Sequence, residues 1–303
     1  MDNASLNPWS LYWQGGHIDS CIASTGSEDR ALITALWQAL ANELPASARI
    51  LDLATGNGAV PLDLLSANST LEITGVDLAE IAPEKLLESE PRLARVSFQG
   101  GIDVCELPFD NDGFDAVTSQ FGIEYAPLEL ALAEAARVLK PGGKLLFLLH
   151  HAESAVVKPA AELVAEIDTL FRDTGLLDVF NQYLGGDVGL ASLEMAGRSY
   201  MGESHTRTQH ISGQIMAGIN QVIIDLQTQP QRARLLAESM QSRLAAERSR
   251  LGQLQAAALS PDRASEIVGQ LETLGLGGVE IDTLVAPGEP PALIGWQLSG
   301  TMK

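Results

Sequence analysis

The chain has 303 residues, of which 46% are hydrophobic, and a formal net charge of -20 at pH 7. A chain of this length and apolar content buries a substantial core, in one large domain or two smaller ones. The negative charge serves solubility and repels nucleic acid and anionic membrane surfaces at long range, so we expect neither of these as a partner.

The cysteines, the histidine spacing and the hydropathy pattern bear on disulfides, metal sites and membrane spans. Cys21 and Cys105 are too few for a disulfide framework or a cysteine-built metal site. His205 and His210 lie five positions apart, without the i, i+4 spacing of a helical zinc-binding pair, so no metal site is predicted. Because no basic leader precedes an apolar core and no apolar run reaches the ~20 residues that span a bilayer, we expect a soluble cytoplasmic protein.

Aromatic residues cluster near the start of the chain. Trp9, Tyr12 and Trp13 lie within five positions in a chain that is only 5% aromatic, which indicates a segment that packs over another surface. Two interpretations stay open: an arm that covers the core, or a lid over a reaction centre. In the second case His17 and Cys21 are candidates to line the lid.

After this segment the predicted helices and strands alternate. Ser27 caps a helix over residues 28–44, in which leucines recur every four residues, and Pro45 ends it. The elements that follow are strand 48–53, helix 58–67, strand 71–77, helix 83–89, strands 95–99 and 114–120, helix 128–139 and strand 144–150. Such alternation predicts a parallel sheet with helices on both faces, which binds ligands at the carboxyl ends of its strands.

The stretch from residue 49 to residue 60 carries the strongest ligand signal. A short apolar run ends in Asp52, turns through Gly56 and Gly58, and continues into a helix. Glycine lets the backbone turn sharply beside a ligand, and the first amides of the helix are free to donate. A second acid, Asp77, ends the next apolar run, where dinucleotide-binding folds place a carboxylate on ribose hydroxyls. Because Asp52 would repel a pyrophosphate, a cofactor with a ribose and an ammonium group fits better.

The second half of the chain changes character. Residues 152–260 have helical periodicity without a convincing strand, and the stretch is too long for a plain connection. Ser260 and Pro261 then begin a short helix that runs to about residue 274, and residues 279–285 and 293–299 are predicted as a closing pair of strands. The helical stretch is interpreted as an insertion that either caps a substrate or forms a dimerisation surface.

Four segments resemble motifs of class I S-adenosylmethionine (SAM) dependent methyltransferases. Residues 52–58, Asp-Leu-Ala-Thr-Gly-Asn-Gly, resemble the first motif, with Ala54 in place of its first glycine, and similar openings occur in quinone C-methyltransferases. Residues 103–109, 114–117 and 137–144 are similar to later motifs of the family, in the same order. Together these segments cover roughly residues 48–151.

The resemblance implies an α/β, Rossmann-like class I methyltransferase fold. In that fold a seven-stranded, mostly parallel sheet has helices on both faces, and its last two strands are antiparallel. The expected regions are the N-terminal lid and helix (1–44), the SAM-binding core (45–151), the helical cap insertion (152–260) and the C-terminal helix and strand pair that completes the core (261–303). A homodimer built on the insertion is the alternative to a cap.

The resemblance also implies a set of cofactor-binding residues. Asp52 would bind or orient the methionyl ammonium, and the turn from Ala54 to Gly58 would approach the amino-acid part. Asp77 would accept both ribose hydroxyls, since one carboxylate matches a vicinal diol. The full set is Asp52, Ala54, Thr55, Gly56, Asn57, Gly58 and Asp77, then Leu78, Asp103 and Val104 around the adenine, and Ser119 and Gln120 near the methionyl end.

Acceptor-side residues follow from the chemistry of methyl transfer. The protein needs no covalent nucleophile, but it must align the acceptor and exclude water. A hydroxyl or amine acceptor must also lose a proton, a task that suits histidine at neutral pH. His150 and His151, where the fifth strand ends, are the candidate bases, and Glu124 and Tyr125 after the fourth strand are further pocket candidates.

We therefore predict a SAM-dependent methyltransferase that acts on oxygen, nitrogen or carbon of a small molecule. The small-molecule prediction depends on the expected enclosure and on the lack of a basic groove. Two alternatives stay open: a SAM-binding protein without turnover, and a nicotinamide-dependent oxidoreductase. The second is disfavoured by Asp52, by Pro61 in place of a third glycine, and by the Leu-Pro-Phe sequence at residues 107–109.

Overall fold

The structure is a computed structural model that describes residues 8–20, 27–202 and 209–303. The chain divides into two compact units: residues 1–158 with 254–303, and residues 159–253. Predictions for Cys21 and His205, and for the side chains of Ser27 and His210, lie outside the described residues. No helix in the described ranges is long and apolar enough to cross a membrane.

The first unit is built on one seven-stranded sheet. Its strands are β1 (Arg49–Leu53), β2 (Glu72–Asp77), β3 (Ser97–Gly100), β4 (Phe114–Gln120), β5 (Leu139–Leu149), β6 (Leu276–Ala286) and β7 (Ala292–Met302). They are ordered β3-β2-β1-β4-β5-β7-β6, with β1 to β5 parallel and β7 antiparallel to both neighbours. The predicted α/β fold, with a seven-stranded and mostly parallel sheet, is confirmed.

Ten helices accompany the sheet in the described part of the chain. They are α1 (Pro8–Trp13), α2 (Ser27–Glu43), α3 (Ala59–Ala67), α4 (Leu128–Val138), α5 (Lys158–Leu170), α6 (Leu176–Gly185), α7 (Leu190–Gly202), α8 (Gln209–Leu226), α9 (Pro230–Ala257) and α10 (Pro261–Thr273). Ser260 caps α10 as predicted, because its Oγ accepts a hydrogen bond from the Arg263 amide at 3.3 Å.

The core of the first unit follows from its sequence pattern. In β1, Ile50, Leu51 and Leu53 are all fully buried, which is the pattern of a central parallel strand covered on both faces. Helix α4 directs Ala131 and Leu132 into a buried cluster with residues of β1, β4 and β5. The sheet is therefore held rigidly, and the loops at the carboxyl ends of β1, β2 and β4 start from fixed positions.

Two predicted boundaries differ from the structure between β2 and β5. The predicted helix 83–89 is only a 3-10 turn, Pro83–Leu86, because a second proline at Pro91 leaves little room for an α-helix. Strand β5 begins at Leu139, not at residue 144, since Leu139 pairs with Phe114 before a register shift leads to the pairing of Lys144 with Ala116.

The closing strands are longer than predicted. Both β6 and β7 have 11 residues, whereas the sequence suggested about seven each. A register shift between Gly277 and Glu280 carries β6 across two glycines that resemble a break in the sequence.

The second unit is helical. No residue between 159 and 253 that the structure describes lies in a strand, and the unit contains α6, α7 and α8 with most of α5 and α9. Inside it Arg248 pairs with Asp168, and the side-chain amides of Asn181 and Gln241 exchange hydrogen bonds at 2.9 and 3.1 Å. The region boundaries expected from the sequence, and the role of these helices as a cap or a dimerisation surface, stay predictions.

Candidate cofactor and acceptor site

The glycine turn follows β1 and leads directly into α3. Ala54 and Gly56 have positive φ angles of 52° and 53°, and Gly58, which precedes α3, has a φ of 98°. A left-handed conformation costs a residue with a Cβ free energy, so Ala54 holds a conformation that suits glycine better. Gly75 in β2 makes room for the turn, because a Cβ there would lie 2.7 Å from Thr55 Oγ1.

Asp77 at the end of β2 anchors this turn. Its Oδ2 accepts a hydrogen bond from the Gly56 amide at 2.9 Å, and its Oδ1 accepts one from the Ala79 amide at 2.8 Å. Burial raises the pKa of Asp77 to about 6, and the two amides oppose that rise. Because each carboxylate oxygen has two lone pairs, both oxygens keep acceptor capacity for the hydroxyls of a ligand.

Asp52 at the end of β1 is almost completely buried, with 1% of its surface exposed. Its Oδ1 accepts a hydrogen bond from the Thr118 hydroxyl at 2.8 Å, whereas its Oδ2 has no hydrogen-bond partner among the described residues. Burial raises the pKa of Asp52 to about 7, while the Thr55 and Thr118 hydroxyls lower it and the charge of Asp77 adds to the rise. A buried carboxylate oxygen without a donor costs free energy, so a cationic group is the ligand that suits it.

The residues expected around an adenine follow β2 and β3 at the same end of the sheet. Leu78, next to Asp77, is 60% exposed, and the Ile102 amide donates to the Asp77 carbonyl oxygen at 2.9 Å. Asp103 is exposed, with its Oδ1 accepting the Cys105 amide at 2.8 Å, and the Val104 side chain is buried. The structure therefore brings these residues to the strand end that carries Asp77.

Ser119 and Gln120 end β4, and both side chains are engaged within the protein. Ser119 Oγ donates to the Leu53 carbonyl oxygen at 2.9 Å and accepts from the Ile123 amide at 3.1 Å. Gln120 Oε1 accepts from Trp37 Nε1 at 2.6 Å. These bonds tie the end of β4 to β1 and to α2, and the role of Ser119 and Gln120 toward a cofactor stays a prediction.

Three of the acceptor-side candidates form one cluster. The Tyr125 hydroxyl and His150 Nε2 are 3.2 Å apart, and the His150 ring stacks on Phe121 with ring centroids 4.5 Å apart. Glu124 Oε1 accepts a hydrogen bond from the His150 amide at 2.8 Å. Burial raises the pKa of Glu124 to about 7, against the effect of that amide and others nearby.

His151, the neighbour of His150, has a different environment. Its Nδ1 accepts a hydrogen bond from the Glu153 amide at 2.9 Å, which places the proton of the neutral ring on Nε2. Its ring stacks on Trp296 of β7, with centroids 4.3 Å apart, and burial lowers its pKa. The structure therefore separates His151 from the cluster of Tyr125, Glu124 and His150.

Comparison with known proteins indicates the family of the domain that contains these residues. Residues 50–143 match a family model described as a methyltransferase domain. Over 105 residues the chain is 44% identical to a demethylmenaquinone methyltransferase of Thermus thermophilus, which covers 33% of this chain and 46% of the relative. Residues 50–143 therefore form a methyltransferase domain.

The chain is similar to a second curated relative and to a solved structure. The chain is 38% identical over 107 residues to a ubiquinone/menaquinone biosynthesis C-methyltransferase of Geotalea daltonii, covering 33% of this chain and 44% of the relative. It is also similar to the structure of geranyl diphosphate C-methyltransferase from Streptomyces coelicolor, at 18% identity and a TM-score of 0.34, over 46% of this chain and 62% of that one. The chain spans less than half the length of the two relatives it matches by sequence.

The methyltransferase domain carries an aromatic N-terminal segment on its glycine turn. Asn57 Nδ2 donates to the carbonyl oxygens of Trp13, at 3.0 Å, and His17, at 2.7 Å, and its Oδ1 accepts the Ala82 amide at 2.8 Å. The Trp13 ring packs directly on Gly56. Sequence reasoning placed Asn57 in the cofactor turn but did not find these contacts, because they join residues 25 or more positions apart.

Thr118 is the site residue that sequence reasoning missed, although a signal for it existed. Asp52 and Thr118 are direct partners in the parallel register of β1 and β4. Alignment of the two predicted strands by their carboxyl ends would have placed a hydroxyl beside the buried acid.

Two further features of the described residues concern metal ligands and the Cys105 thiol. The described residues contain no group of three His, Cys, Asp or Glu side chains that could hold a metal ion. Burial and the charge of Asp103 raise the pKa of the Cys105 thiol to about 11, so this thiol is protonated at neutral pH and is a poor nucleophile.

Proposed function

We propose that this protein transfers a methyl group from SAM to a small-molecule acceptor by in-line displacement and releases S-adenosylhomocysteine. The observation that carries the proposal is the pair of buried acids at neighbouring strand ends, Asp52 and Asp77, on either side of the glycine turn. The environments of the two acids differ, and they suit two different parts of SAM, the methionyl ammonium and the ribose.

The residues present suit each part of the cofactor. The partnerless Oδ2 of Asp52 calls for a cation, and the methionyl ammonium is one. The carboxylate of Asp77 keeps lone pairs for two ribose hydroxyls, and the turn at Gly56 lets the backbone approach the amino-acid part. Leu78, next to Asp77, offers an exposed apolar surface to the adenine.

SAM supplies an electrophilic methyl group on a sulfonium, so the protein's contribution is to align the acceptor with that group and to exclude water. Holding two reactants in the right geometry lowers the activation free energy by up to ~7 to 11 kcal/mol in favourable cases, compared with reactants that meet by diffusion. Around the proposed acceptor position the aromatic rings of Trp9 and Phe121 border Tyr125 and His150, with the Trp9 and Tyr125 ring centroids 5.3 Å apart. These rings exclude water from the place where the acceptor is to react.

The Tyr125 and His150 pair is the proposed proton acceptor. A hydroxyl or amine that attacks the methyl carbon must release a proton, and His150 Nε2, hydrogen-bonded to the Tyr125 hydroxyl, can take it directly or through that hydroxyl. The backbone amide of His150 donates a hydrogen bond to Glu124, and this bond fixes the backbone that carries the His150 ring. His151, with its ring stacked on Trp296, is assigned a packing role.

The acceptor is proposed at the level of a small molecule. The two curated relatives are named for demethylmenaquinone and for ubiquinone/menaquinone biosynthesis, but their similarity covers about a third of this chain. The family model matches residues 50–143, which contain the proposed cofactor residues and none of residues 159–253. A quinol ring, a phenol and an amine are therefore all acceptors to be tried.

The experiment that tests the proposal has two steps. Purified protein is first titrated calorimetrically with SAM, S-adenosylhomocysteine and NADH, and binding of both adenosyl compounds without NADH is expected. It is then incubated with SAM and a panel of hydroquinones, phenols and amines while S-adenosylhomocysteine is measured. Binding of NADH alone would overturn the proposal, and SAM binding without turnover on any acceptor would favour a non-catalytic SAM-binding protein.

A further inference from the structure

Trp13 makes an unusually close contact with the cofactor turn. A Cβ placed on Gly56 would lie 2.4 Å from Trp13 Cζ2 and 2.5 Å from its Cη2, far inside van der Waals contact. The six-membered ring of the indole therefore packs closely against Gly56, and Trp13 is only 8% exposed. Gly56 is thus needed for the ring as well as for the positive φ of the turn.

The Asn57 side chain holds this ring in place. Its amide makes three hydrogen bonds: two as donor, to the Trp13 and His17 carbonyl oxygens, and one as acceptor, from the Ala82 amide. Asn57 is fully buried, so loss of any of these bonds leaves a buried polar group unpaired. One side chain within the cofactor turn therefore fixes both ends of the segment from Trp13 to His17.

The same N-terminal segment contacts the other loops of this sheet edge. Ser10 Oγ accepts the Glu80 amide at 2.9 Å in the loop after β2, and Lys85 Nζ donates to the Gln14 carbonyl oxygen at 2.6 Å. The Trp9 ring meets the Tyr125 ring after β4. Residues 8–17 thus bridge the loops after β1, β2 and β4. Asp52 and Asp77 lie at the ends of the first two strands, and Tyr125 lies in the loop after the third.

From these contacts we infer that Trp13 is itself a cofactor-binding residue and that Asn57 positions it. The inference rests on the proposed SAM site. The indole lies against Gly56, in the turn that the amino-acid part of the cofactor is expected to approach. An aromatic face suits a neighbour that carries positive charge, and SAM carries both an ammonium and a sulfonium.

The test compares three ligands that share an adenosine. SAM and S-adenosylhomocysteine have the amino-acid part, whereas 5′-methylthioadenosine lacks it. In calorimetric titrations of Trp13→Leu we expect SAM and S-adenosylhomocysteine to bind about tenfold more weakly than to wild type. The affinity for methylthioadenosine should stay within about twofold of the wild-type value, because this ligand lacks the part that Trp13 is proposed to contact. Trp13→Phe should keep part of the lost affinity.

Two further variants separate positioning from general damage. Asn57→Ala should weaken the same two ligands, and in the Trp13→Leu background it should add little, because both changes act through one contact. Leu11→Ala, on the exposed side of α1, is the matched control and should bind all three ligands as wild type does. Thermal unfolding and circular dichroism verify that each variant is folded.

A spectroscopic measurement adds a readout that a merely structural role would not change. Binding of S-adenosylhomocysteine should alter tryptophan emission in wild type and alter it much less in Trp13→Phe. Equal weakening of all three ligands, unchanged affinities, or tighter SAM binding in Trp13→Leu would each overturn the inference, the last because the ring would then occupy cofactor space. If wild type binds neither SAM nor S-adenosylhomocysteine, the proposed function itself fails. If wild type binds both and only the Trp13 variants depart from expectation, the inference alone fails.

Discussion

The Thr118 hydroxyl donates to Asp52 Oδ1 at 2.8 Å across two neighbouring parallel strands, and Asp52 Oδ2 meets no partner in the described part of the chain. The same carboxylate is thus hydrogen-bonded through one oxygen, while its other oxygen is buried without a hydrogen-bond partner. Its pKa, raised to about 7 by burial, makes it sensitive to any charge that arrives. Two pH dependences follow from this arrangement.

The first concerns the affinity for SAM. An ammonium beside Asp52 stabilises the ionised carboxylate, so binding should strengthen as pH rises toward the raised pKa of about 7. Between about pH 5.5 and pH 7 we expect affinity to increase about tenfold, while an α-ammonium stays protonated. Calorimetry in buffers of different ionisation enthalpy should show proton release at pH 7. Asp52→Asn should abolish the release, and a pH-independent affinity in wild type would contradict the role of Asp52.

The second concerns the stability of the ligand-free protein. Asp52, Asp77 and Glu124 have folded-state pKa values raised to about 7, 6 and 7, above their ordinary values near 4. The unfolded state therefore loses its protons first as pH rises, and the free energy of unfolding should fall between about pH 4 and pH 7 through these groups. Urea unfolding at several pH values measures the slope. It should be shallower in Asp52→Asn, and an identical slope would show that Asp52 is ionised in the folded protein throughout.

Histidine variants test the acceptor side once an acceptor is found. His150→Gln should lower kcat by about 10² to 10⁴ for an acceptor that must lose a proton, and should leave the SAM affinity unchanged. Tyr125→Phe removes only the hydroxyl near His150 Nε2 and should have a smaller effect in the same direction. His151→Gln is the matched control, because His151 packs on Trp296, and it should affect stability more than kcat. Equal losses of kcat in the two histidine variants would contradict the assignment.

A variant at the N-cap of α10 tests whether this helix is independent of the cofactor site. Ser260 accepts the Arg263 amide at the start of α10, so Ser260→Ala should lower the free energy of unfolding by about 1 kcal/mol. Chemical unfolding measures this loss. SAM affinity should not change, and a change would mean that α10 is coupled to the cofactor edge.

The sequence was informative where local patterns decide the structure. The alternation of apolar runs and helices predicted that the strands from β1 to β5 run parallel, and the ends of two apolar runs located Asp52 and Asp77. Both acids are placed by strand ends, which a pattern of period two or of continuous burial reveals.

The rest depends on contacts between distant residues. Adjacent histidines at a strand end point in different directions, so the sequence could not separate His150, beside Tyr125, from His151, beside Trp296. The contact of Trp13 with Gly56 likewise depends on the three bonds of Asn57, and Asn57 reads in the sequence only as the middle residue of a glycine turn.

The central claim is that the sheet edge bearing Asp52 and Asp77 binds SAM, and calorimetric titration of Asp77→Asn against wild type tests it most directly. Charge-assisted bonds to two ribose hydroxyls are worth about 1.5–3 kcal/mol each, so the variant should bind SAM and S-adenosylhomocysteine about 10² to 10⁴-fold more weakly than wild type. Asp115→Asn, an acid at the start of β4 paired with Lys140, is the control and should bind as wild type does. Wild-type affinity in a folded Asp77→Asn variant would contradict the claim.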